Sequence, residues 1–253
     1  IGESLKLTAF YITIALLFGA WVWAEKGADL GMKYYTGFFI EKALSIDNVF
    51  VISLIFTYFA IPAKYQYRAL LWGIIAVIIL RGIMIGVGAA VVQQYYWVLW
   101  VFAAFLVFTG IKMLVFADHQ PDLEKNPILR WVRGHMRITS GFHGEKFFIL
   151  QNGVRWATPM FLVLVLIEAS DLIFAVDSVP AVFAITSDPF LVYTSNIFAI
   201  LGLRALYFAL AAILHRFAYL KYALSVLLIF IGSKMFVADW LDWEKFPASL
   251  SLG

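Results

Sequence analysis

Long apolar stretches recur along this chain and constrain what it can fold into. A helix of about 20 mostly apolar residues crosses the hydrocarbon core of a bilayer. The chain has seven such stretches, at residues 5–24, 36–59, 69–92, 96–117, 158–187, 192–214 and 221–238. The pattern predicts an all-α fold, a polytopic membrane protein with seven transmembrane helices in a single domain over residues 1–253. Because the stretch at 158–187 is overlong and contains Pro180, its helix is expected to be kinked, broken or tilted.

The composition excludes the main soluble classes of protein. Hydrophobic residues make up 63% of the chain and charged residues 14%, whereas soluble domains average about 45–50% and about 25%. A soluble globular enzyme, a disordered chain and a nucleic-acid-binding module are therefore excluded. The chain has no cysteine, so a disulfide framework, a thiol nucleophile and a thiolate metal site are excluded as well.

One long polar connection, residues 119–157, separates the fourth and fifth stretches. Within it, the apolar runs 147–150 and 154–156 flank Asn152-Gly153, which predicts a small hairpin with a tight turn. Lys and Arg concentrate here and after the second and sixth stretches, so these connections are expected on the cytoplasmic side. Two interpretations of the basic residues from Arg130 to Arg137 stay open. They contact anionic lipid headgroups, or they serve only to set the membrane topology.

Two parts of the chain resemble each other. Residues 36–118 form a predicted first repeat and residues 158–239 a second, preceded by an extra helix at 5–24. The matching pairs are Glu41 and Asp171, Asp47 and Asp177, Asn48 and Ser178, Arg81 and Arg204, Lys112 and Lys234, and Asp118 and Asp239. Three spans per copy give the copies opposite orientations, and inverted repeats of this kind are common in secondary transporters.

Carboxylates lie inside the predicted spans, where each costs a few kcal/mol if it faces lipid. The five are Glu41, Asp47, Glu168, Asp171 and Asp177. They are expected to face the bundle interior, where two central arginines, Arg81 and Arg204, either form architectural ion pairs or balance the charge of a binding site. Five acids against two arginines leave three carboxylates over, and unpaired carboxylates in an apolar interior take up protons or bind cations.

Oxygen ligands of this kind suit hard cations such as Mg²⁺, Ca²⁺ and Mn²⁺. Asn48 and Ser178 share helix faces with Glu41 and Asp171, at spacings of seven residues. Neutral oxygens of Ser45, Ser170 and Asn196 are further candidates, although each is equally explained by helix packing. No histidine lies well inside a span, which disfavours a soft metal site.

The two acidic segments resemble the signature segments of the TerC family. They read E-K-A-L-S-I-D-N-V-F-V from Glu41 and E-A-S-D-L-I-F-A-V-D-S-V-P-A-V-F-A-I-T from Glu168, and the resemblance covers nearly the whole chain. It implies a manganese exporter of the bacterial inner membrane whose intramembrane acids handle the metal. Family members usually have a further hydrophobic segment at each end, the leading one with an Asp, so the chain is expected to lack both.

The hypothesis is a transmembrane exporter of divalent cations, with Mn²⁺ as the expected substrate and with no prosthetic group or enzymatic activity. Export is either coupled to proton import or uncoupled. The predicted metal ligands are Glu41, Asp47, Asn48, Glu168, Asp171, Asp177 and Ser178, with Arg81 and Arg204 balancing their charge. Two alternatives remain open: a Ca²⁺/H⁺ exchanger, and a membrane scaffold for a metal or tellurium stress-response complex. The expected partners are divalent ions, protons and membrane lipid, with no nucleic acid.

Overall fold

The computed structural model of the chain describes residues 2–115, 126–210 and 220–241. These residues form helices joined by short turns, with one β-hairpin. The elements are α1 (Gly2–Lys26), α2 (Ala28–Tyr58), α3 (Ala63–Gln94), α4 (Val98–Val115), α5 (Pro127–His135), β1 (Phe148–Gln151), β2 (Val154–Ala157), α6 (Pro159–Phe183), α7 (Pro189–Leu201), α8 (Leu203–Leu210) and α9 (Leu220–Trp240). Asp118 and the predicted span ends at 116–117 and 211–214 lie outside the described residues.

Several helices are long and apolar enough to cross a bilayer. By length and composition they are Gly2–Lys26, Ala63–Gln94, Val98–Val115, Pro159–Phe183 and the joined pair Pro189–Leu210. Helix α2 is not among them because Glu41, Lys42 and Asp47 interrupt its apolar run. The prediction of a mostly helical, multi-pass membrane protein is confirmed, whereas the count of seven spans and the inverted repeat stay predictions.

Local signals at three helix starts explain where the helices begin. Asn126 Oδ1 accepts hydrogen bonds from the backbone N–H groups of Ile128 and Leu129 at the start of α5, and Asp188 Oδ1 accepts one from Phe190 N at the start of α7. Proline occupies the first turn of α5, α6 and α7, where its missing N–H leaves no helical hydrogen bond unmade.

The overlong fifth stretch and the sixth stretch differ from expectation in where their helices are interrupted. Helix α6 continues past Pro180 as far as Phe183, and the Pro180 carbonyl accepts a hydrogen bond from Ala184 N at 2.9 Å. A break at Pro180 was one predicted outcome, and the structure shows a continuous helix instead. The sixth stretch is divided at Gly202 into α7 and α8.

Helices α2 and α6 lie at the centre of the bundle. They pack against each other, α7 packs on α2, and α3 packs on α6, while α1 contacts α2 and α8, and α4 pairs with α9. Segment 126–157 lies at the end of the bundle where α6 begins, because Leu129 and Val132 of α5 pack in one apolar cluster with Met160 and Val163 of α6.

The predicted hairpin is present. Strands β1 and β2 pair antiparallel with Gln151 opposite Val154. Asn152 and Gly153 between them have φ angles of 53° and 73°. A two-residue turn with both φ values positive favours Asn-Gly, which explains why this local sequence signal was sufficient.

Helices α4 and α9 approach closely at two glycines that match in the predicted repeat. A β-carbon at Gly110 would lie 2.8 Å from the Ser225 carbonyl oxygen of α9, and one at Gly232 would lie 2.6 Å from the Ala103 carbonyl oxygen of α4. Backbone atoms cannot move aside without separating the helices, so this pair depends on glycine at both positions.

Replacement of either glycine by alanine is expected to separate α4 from α9. Gly110→Ala and Gly232→Ala should each lower stability by about 1–3 kcal/mol, the usual cost of overpacking. Thermal unfolding of the purified protein in detergent measures this. Gly86→Ala in α3 is the matched control, since a β-carbon there meets no atom within 4 Å. Equal melting temperatures for Gly232→Ala and Gly86→Ala would contradict the close approach.

Candidate functional site

The guanidinium of Arg81 lies at the centre of the bundle and is only 1% exposed. It forms a bidentate ion pair with Asp171 of α6, in which Nε donates to Oδ2 at 3.1 Å and Nη2 donates to Oδ1 at 2.9 Å. A paired contact of this kind is among the strongest hydrogen-bonding arrangements in proteins because both groups are charged and planar. It fixes α3 against α6.

The same guanidinium reaches two further helices. Arg81 Nη1 donates to Glu41 Oε1 of α2, to Asn196 Oδ1 of α7 at 2.8 Å and to Ser178 Oγ of α6 at 3.2 Å. Asn196 Nδ2 in turn donates to Glu41 Oε2 at 3.1 Å. One arginine therefore joins α2, α3, α6 and α7 through a continuous polar network.

Asn48 connects this network to a small cavity. Its Nδ2 donates to Asp171 Oδ1 at 3.1 Å, while its Oδ1 is buried and has no hydrogen-bond partner among the described residues. The cavity beside it has a volume of about 20 Å³, enough for about one water-sized particle. Ser170 and Asp171 also line it, together with Gly73 and apolar side chains of α2, α3 and α6.

Glu168 lies one helical turn before Asp171 on α6. Both of its carboxylate oxygens are buried and accept no hydrogen bond from any residue that the structure describes. Its Oε1 lies 3.4 Å from the position of a β-carbon at Gly73, and Gly73 lines the cavity. A buried carboxylate without a partner is costly, and this one lies one residue away from the cavity, behind Gly73 of its lining.

Among the residues that the structure describes, the charges of the site do not balance. Glu41, Asp171 and Glu168 carry three negative charges when ionised, and Arg81 carries one positive charge. Lys42, which is next to Glu41 in sequence, turns away and donates to the Ala199 carbonyl oxygen at 3.1 Å. The excess of two negative charges equals the charge of one divalent cation.

The donors nearest the cavity are mixed rather than purely acidic. Within residues 2–115, 126–210 and 220–241, no group of three or more His, Asp or Glu side chains is placed to hold a metal ion. The polar residues that line the cavity are Asp171, Asn48 and Ser170, and Glu168 lies next to Gly73 of the same lining. Carboxylate, amide and hydroxyl oxygens are ligands of hard cations.

Not every predicted site residue joins this network. Asp177 is half-buried, accepts a hydrogen bond from Thr109 and faces Lys112, both on α4. Asp47 is half-buried on α2. The described contacts therefore do not bring all five carboxylates together, because Asp177 faces α4 whereas Asp171 faces α3.

Arg204 also lies outside the network. Its guanidinium carbon is 4.4 Å from the centre of the Tyr67 ring, a cation–π contact. The expectation that Arg81 and Arg204 act as an equivalent pair is therefore corrected: the described contacts assign the buried ion pairs to Arg81.

Asn196 and Ser170 are predicted from the sequence only as neutral oxygen candidates. Asn196 proves to be fully buried and to bind both Arg81 and Glu41. Its position 155 residues after Glu41 gives no local signal of that contact. The one sequence signal for such a contact is that Asn196 is a polar residue in the middle of an apolar span.

Removal of the central guanidinium is expected to destabilise the bundle strongly. Arg81→Gln leaves Glu41 and Asp171 buried without their cation, which should cost about 3–5 kcal/mol. Thermal unfolding in detergent measures the loss. Adding Glu41→Gln and Asp171→Asn to Arg81→Gln should restore part of the stability, because no unpaired charge then remains in the network.

Arg204→Gln is the matched control for this experiment. It removes an equal charge from the Tyr67 ring face and should cost about 0.5–2 kcal/mol. Similar losses from the two single variants, or no recovery in the triple variant, would contradict the central role of Arg81.

Known proteins resemble the chain over most of its length. The chain is 47% identical over 250 residues to the "Uncharacterized membrane protein" of Rickettsia bellii (strain RML369-C), which covers 99% of this chain and 82% of that protein. It is 47% identical over 251 residues to the "Putative membrane-bound redox modulator Alx" of Escherichia coli (strain K12), covering 96% and 77%. A Myxococcus xanthus protein, "Uncharacterized membrane protein STKORF319", is 45% identical over 250 residues, covering 99% and 77%. No solved structure matches the chain.

A family model confirms the resemblance that the acidic segments carry. The model, described as "Integral membrane protein TerC family", matches residues 26–252. This range contains Glu41, Arg81 and Asp171, the charged residues that hold the apolar helices together. With a match of this extent, the chain belongs to the TerC family of integral membrane proteins.

Proposed function

We propose that the chain exports divalent cations, with Mn²⁺ as substrate, across the bacterial inner membrane. The observation that carries the proposal is the Glu168 carboxylate, whose oxygens are buried without a hydrogen-bond partner among the described residues, next to Gly73 of the cavity lining. Asn48 Oδ1 shares that condition beside the same cavity. Three acceptor oxygens without hydrogen-bond partners among the described residues, two on Glu168 and one on Asn48, favour a site that binds a cation.

Charge balance suggests how such a site exchanges its occupants. The two excess negative charges are neutralised by one divalent cation or by two protons. A site that takes a cation from the cytoplasm, releases it outside and returns with protons stays near neutral throughout. Metal export is then coupled to proton import, and the empty charged state is avoided because its burial is costly.

The predicted inverted repeat supports alternating access. In transporters built from such repeats, the site lies near the midplane between the copies, and one copy rocks against the other. The Arg81 network meets this description in part, since Glu41 and Arg81 come from the predicted first repeat and Asp171 from the second. Seven membrane spans and a cytoplasmic location of residues 119–157 belong to the same proposal.

Transport explains the site better than enzymatic or thiol redox chemistry does. The name of the Escherichia coli relative refers to redox modulation, but the 253 residues of this chain include no cysteine. Thiol–disulfide exchange is therefore not available to them. We accordingly propose a transporter without enzymatic activity or a prosthetic group.

Neutralising Glu168 is expected to weaken Mn²⁺ transport without unfolding the protein. In proteoliposomes, Glu168→Gln should lower the apparent Mn²⁺ affinity by at least about tenfold. Removal of a group that only hydrogen-bonds to a metal ligand already causes a loss of that size. The melting temperature should not fall, because the replaced carboxylate makes no hydrogen bond with the described residues.

Glu145→Gln is the matched control, since Glu145 is exposed and pairs with Arg68 at 3.2 Å. Normal Mn²⁺ flux in Glu168→Gln would remove Glu168 from the mechanism. A scaffold function would be unaffected by either change. Asp47 and Asp177 stay predicted ligands, and export at the wild-type rate by Asp47→Asn and Asp177→Asn would exclude them.

Metal competition separates Mn²⁺ export from Ca²⁺/H⁺ exchange. We expect Mn²⁺ flux to resist a tenfold excess of Ca²⁺, because a cavity of about 20 Å³ offers few donors, whereas Ca²⁺ takes six to eight oxygen ligands. An imposed proton gradient, acidic on the side that receives the metal, should accelerate the flux, and a protonophore should cancel that gain. Full inhibition by equimolar Ca²⁺ would favour the calcium exchanger.

A further inference from the structure

Residues 126–157 carry a strong excess of positive charge. The range holds five basic residues and one acid, Glu145. The acid already pairs with Arg68 at the start of α3. The basic residues are all exposed: Arg130, Arg133, Arg137, Lys146 and Arg155. The site proposed for cation transport does not use them.

Contacts with the bundle fix this segment at the level of one membrane surface. Leu129 and Val132 bury one side of α5 against the first turns of α6. The Thr158 hydroxyl, just before α6, donates to the Lys146 carbonyl oxygen at 2.6 Å. The segment therefore lies where a membrane-crossing α6 begins, beside the headgroups of the lipid that surrounds the bundle.

The outward side of α5 combines arginine with a large aromatic side chain. Trp131, between Arg130 and Arg133, is 62% exposed. On the hairpin, Leu150 is 78% exposed. Tryptophan is enriched at membrane–water interfaces, where its ring meets the headgroup region. Exposed apolar side chains interleaved with arginines fit a lipid surface better than they fit water.

Two further arginines, Arg155 on the hairpin and Arg137 between α5 and the hairpin, lie over aromatic rings. The Arg155 guanidinium carbon lies 4.3 Å from the Phe148 ring centre, and that of Arg137 lies 6.0 Å from the Trp156 ring centre. Within the part of the chain that the structure describes, neither has a carboxylate partner. A groove runs between Arg137 and Arg155, so their free N–H groups are available to an anion.

We propose that this surface, formed by Arg130, Trp131, Arg133, Arg137 and Arg155, binds the phosphate groups of anionic phospholipids in the surrounding membrane. Arginine suits phosphate because its planar N–H groups form paired hydrogen bonds with the oxygens. Juxtamembrane basic residues are attracted to anionic lipid, and the bilayer also accepts Trp131 and Leu150. The binding holds α5 and the hairpin against the membrane.

Lipid binding by the purified full chain tests the proposal. Native mass spectrometry would count phosphatidylglycerol and phosphatidylcholine molecules retained by the protein. The wild type should prefer phosphatidylglycerol, and Arg137→Gln with Arg155→Gln should lower its affinity by about fivefold for each arginine removed. Arg137→Lys with Arg155→Lys keeps the charge and should retain most of the preference. Higher ionic strength should weaken it.

Lys26→Gln is the matched control. Lys26 lies at the end of α1 beside the start of α2, and its Nζ is 5.3 Å from the Phe190 ring centre. Its loss should leave the lipid preference unchanged. Equal binding of both lipids by the wild type, an equal loss in Lys26→Gln, or displacement of phosphatidylglycerol by inorganic phosphate, a phosphopeptide or RNA at equal concentration would each overturn the proposal.

Discussion

The structure depends on one desolvated charge, the Arg81 guanidinium. In an apolar bundle an unmatched cation is prohibitively costly, so the helices must bring oxygen atoms to it from several directions. Asp171 accepts hydrogen bonds from Nε and Nη2, while Glu41, Asn196 and Ser178 accept from Nη1. Apolar packing between lipid-exposed helices has little preference for one register over another, because lipid is as apolar as the side chains. The polar network supplies that preference for α2, α3, α6 and α7.

Much of this centre could be predicted from the sequence because burial of charge leaves few solutions. A carboxylate in the middle of an apolar stretch must face inward, and spacings of seven residues place Asn48 with Glu41 and Ser178 with Asp171 on shared faces. The structure brings all four of these residues to Arg81 or its partners. The Asn-Gly hairpin was equally predictable, since a two-residue turn is determined locally.

The parts that were not predictable depend on contacts between distant helices. Equivalence in the predicted repeat suggested that Arg204 would act as Arg81 does, yet it stacks on Tyr67. The two predicted copies differ in their polar residues. When the acidic segments are aligned, Phe38 of the first copy matches Glu168 of the second. When the two arginines are aligned, Gly73 of the first copy matches Asn196 of the second. Sequence spacing also could not show that Pro180 lies within a continuous helix while Gly202 divides one.

The unmatched Glu168 shows why stability and binding are linked in this bundle. The protein already has an arginine that neutralises Glu41 and Asp171 in part, so a second internal cation beside Glu168 would have been the simple way to complete the charge balance. Such a cation would also have occupied the space beside the cavity and removed any reason for an ion to enter. Because Glu168 has no hydrogen-bond partner within the described parts of the chain, its charge raises the free energy of the empty folded state, and a proton or cation bound there would lower that free energy by mass action. In the proposed transporter, the same charge that weakens the fold would supply the affinity for the ion.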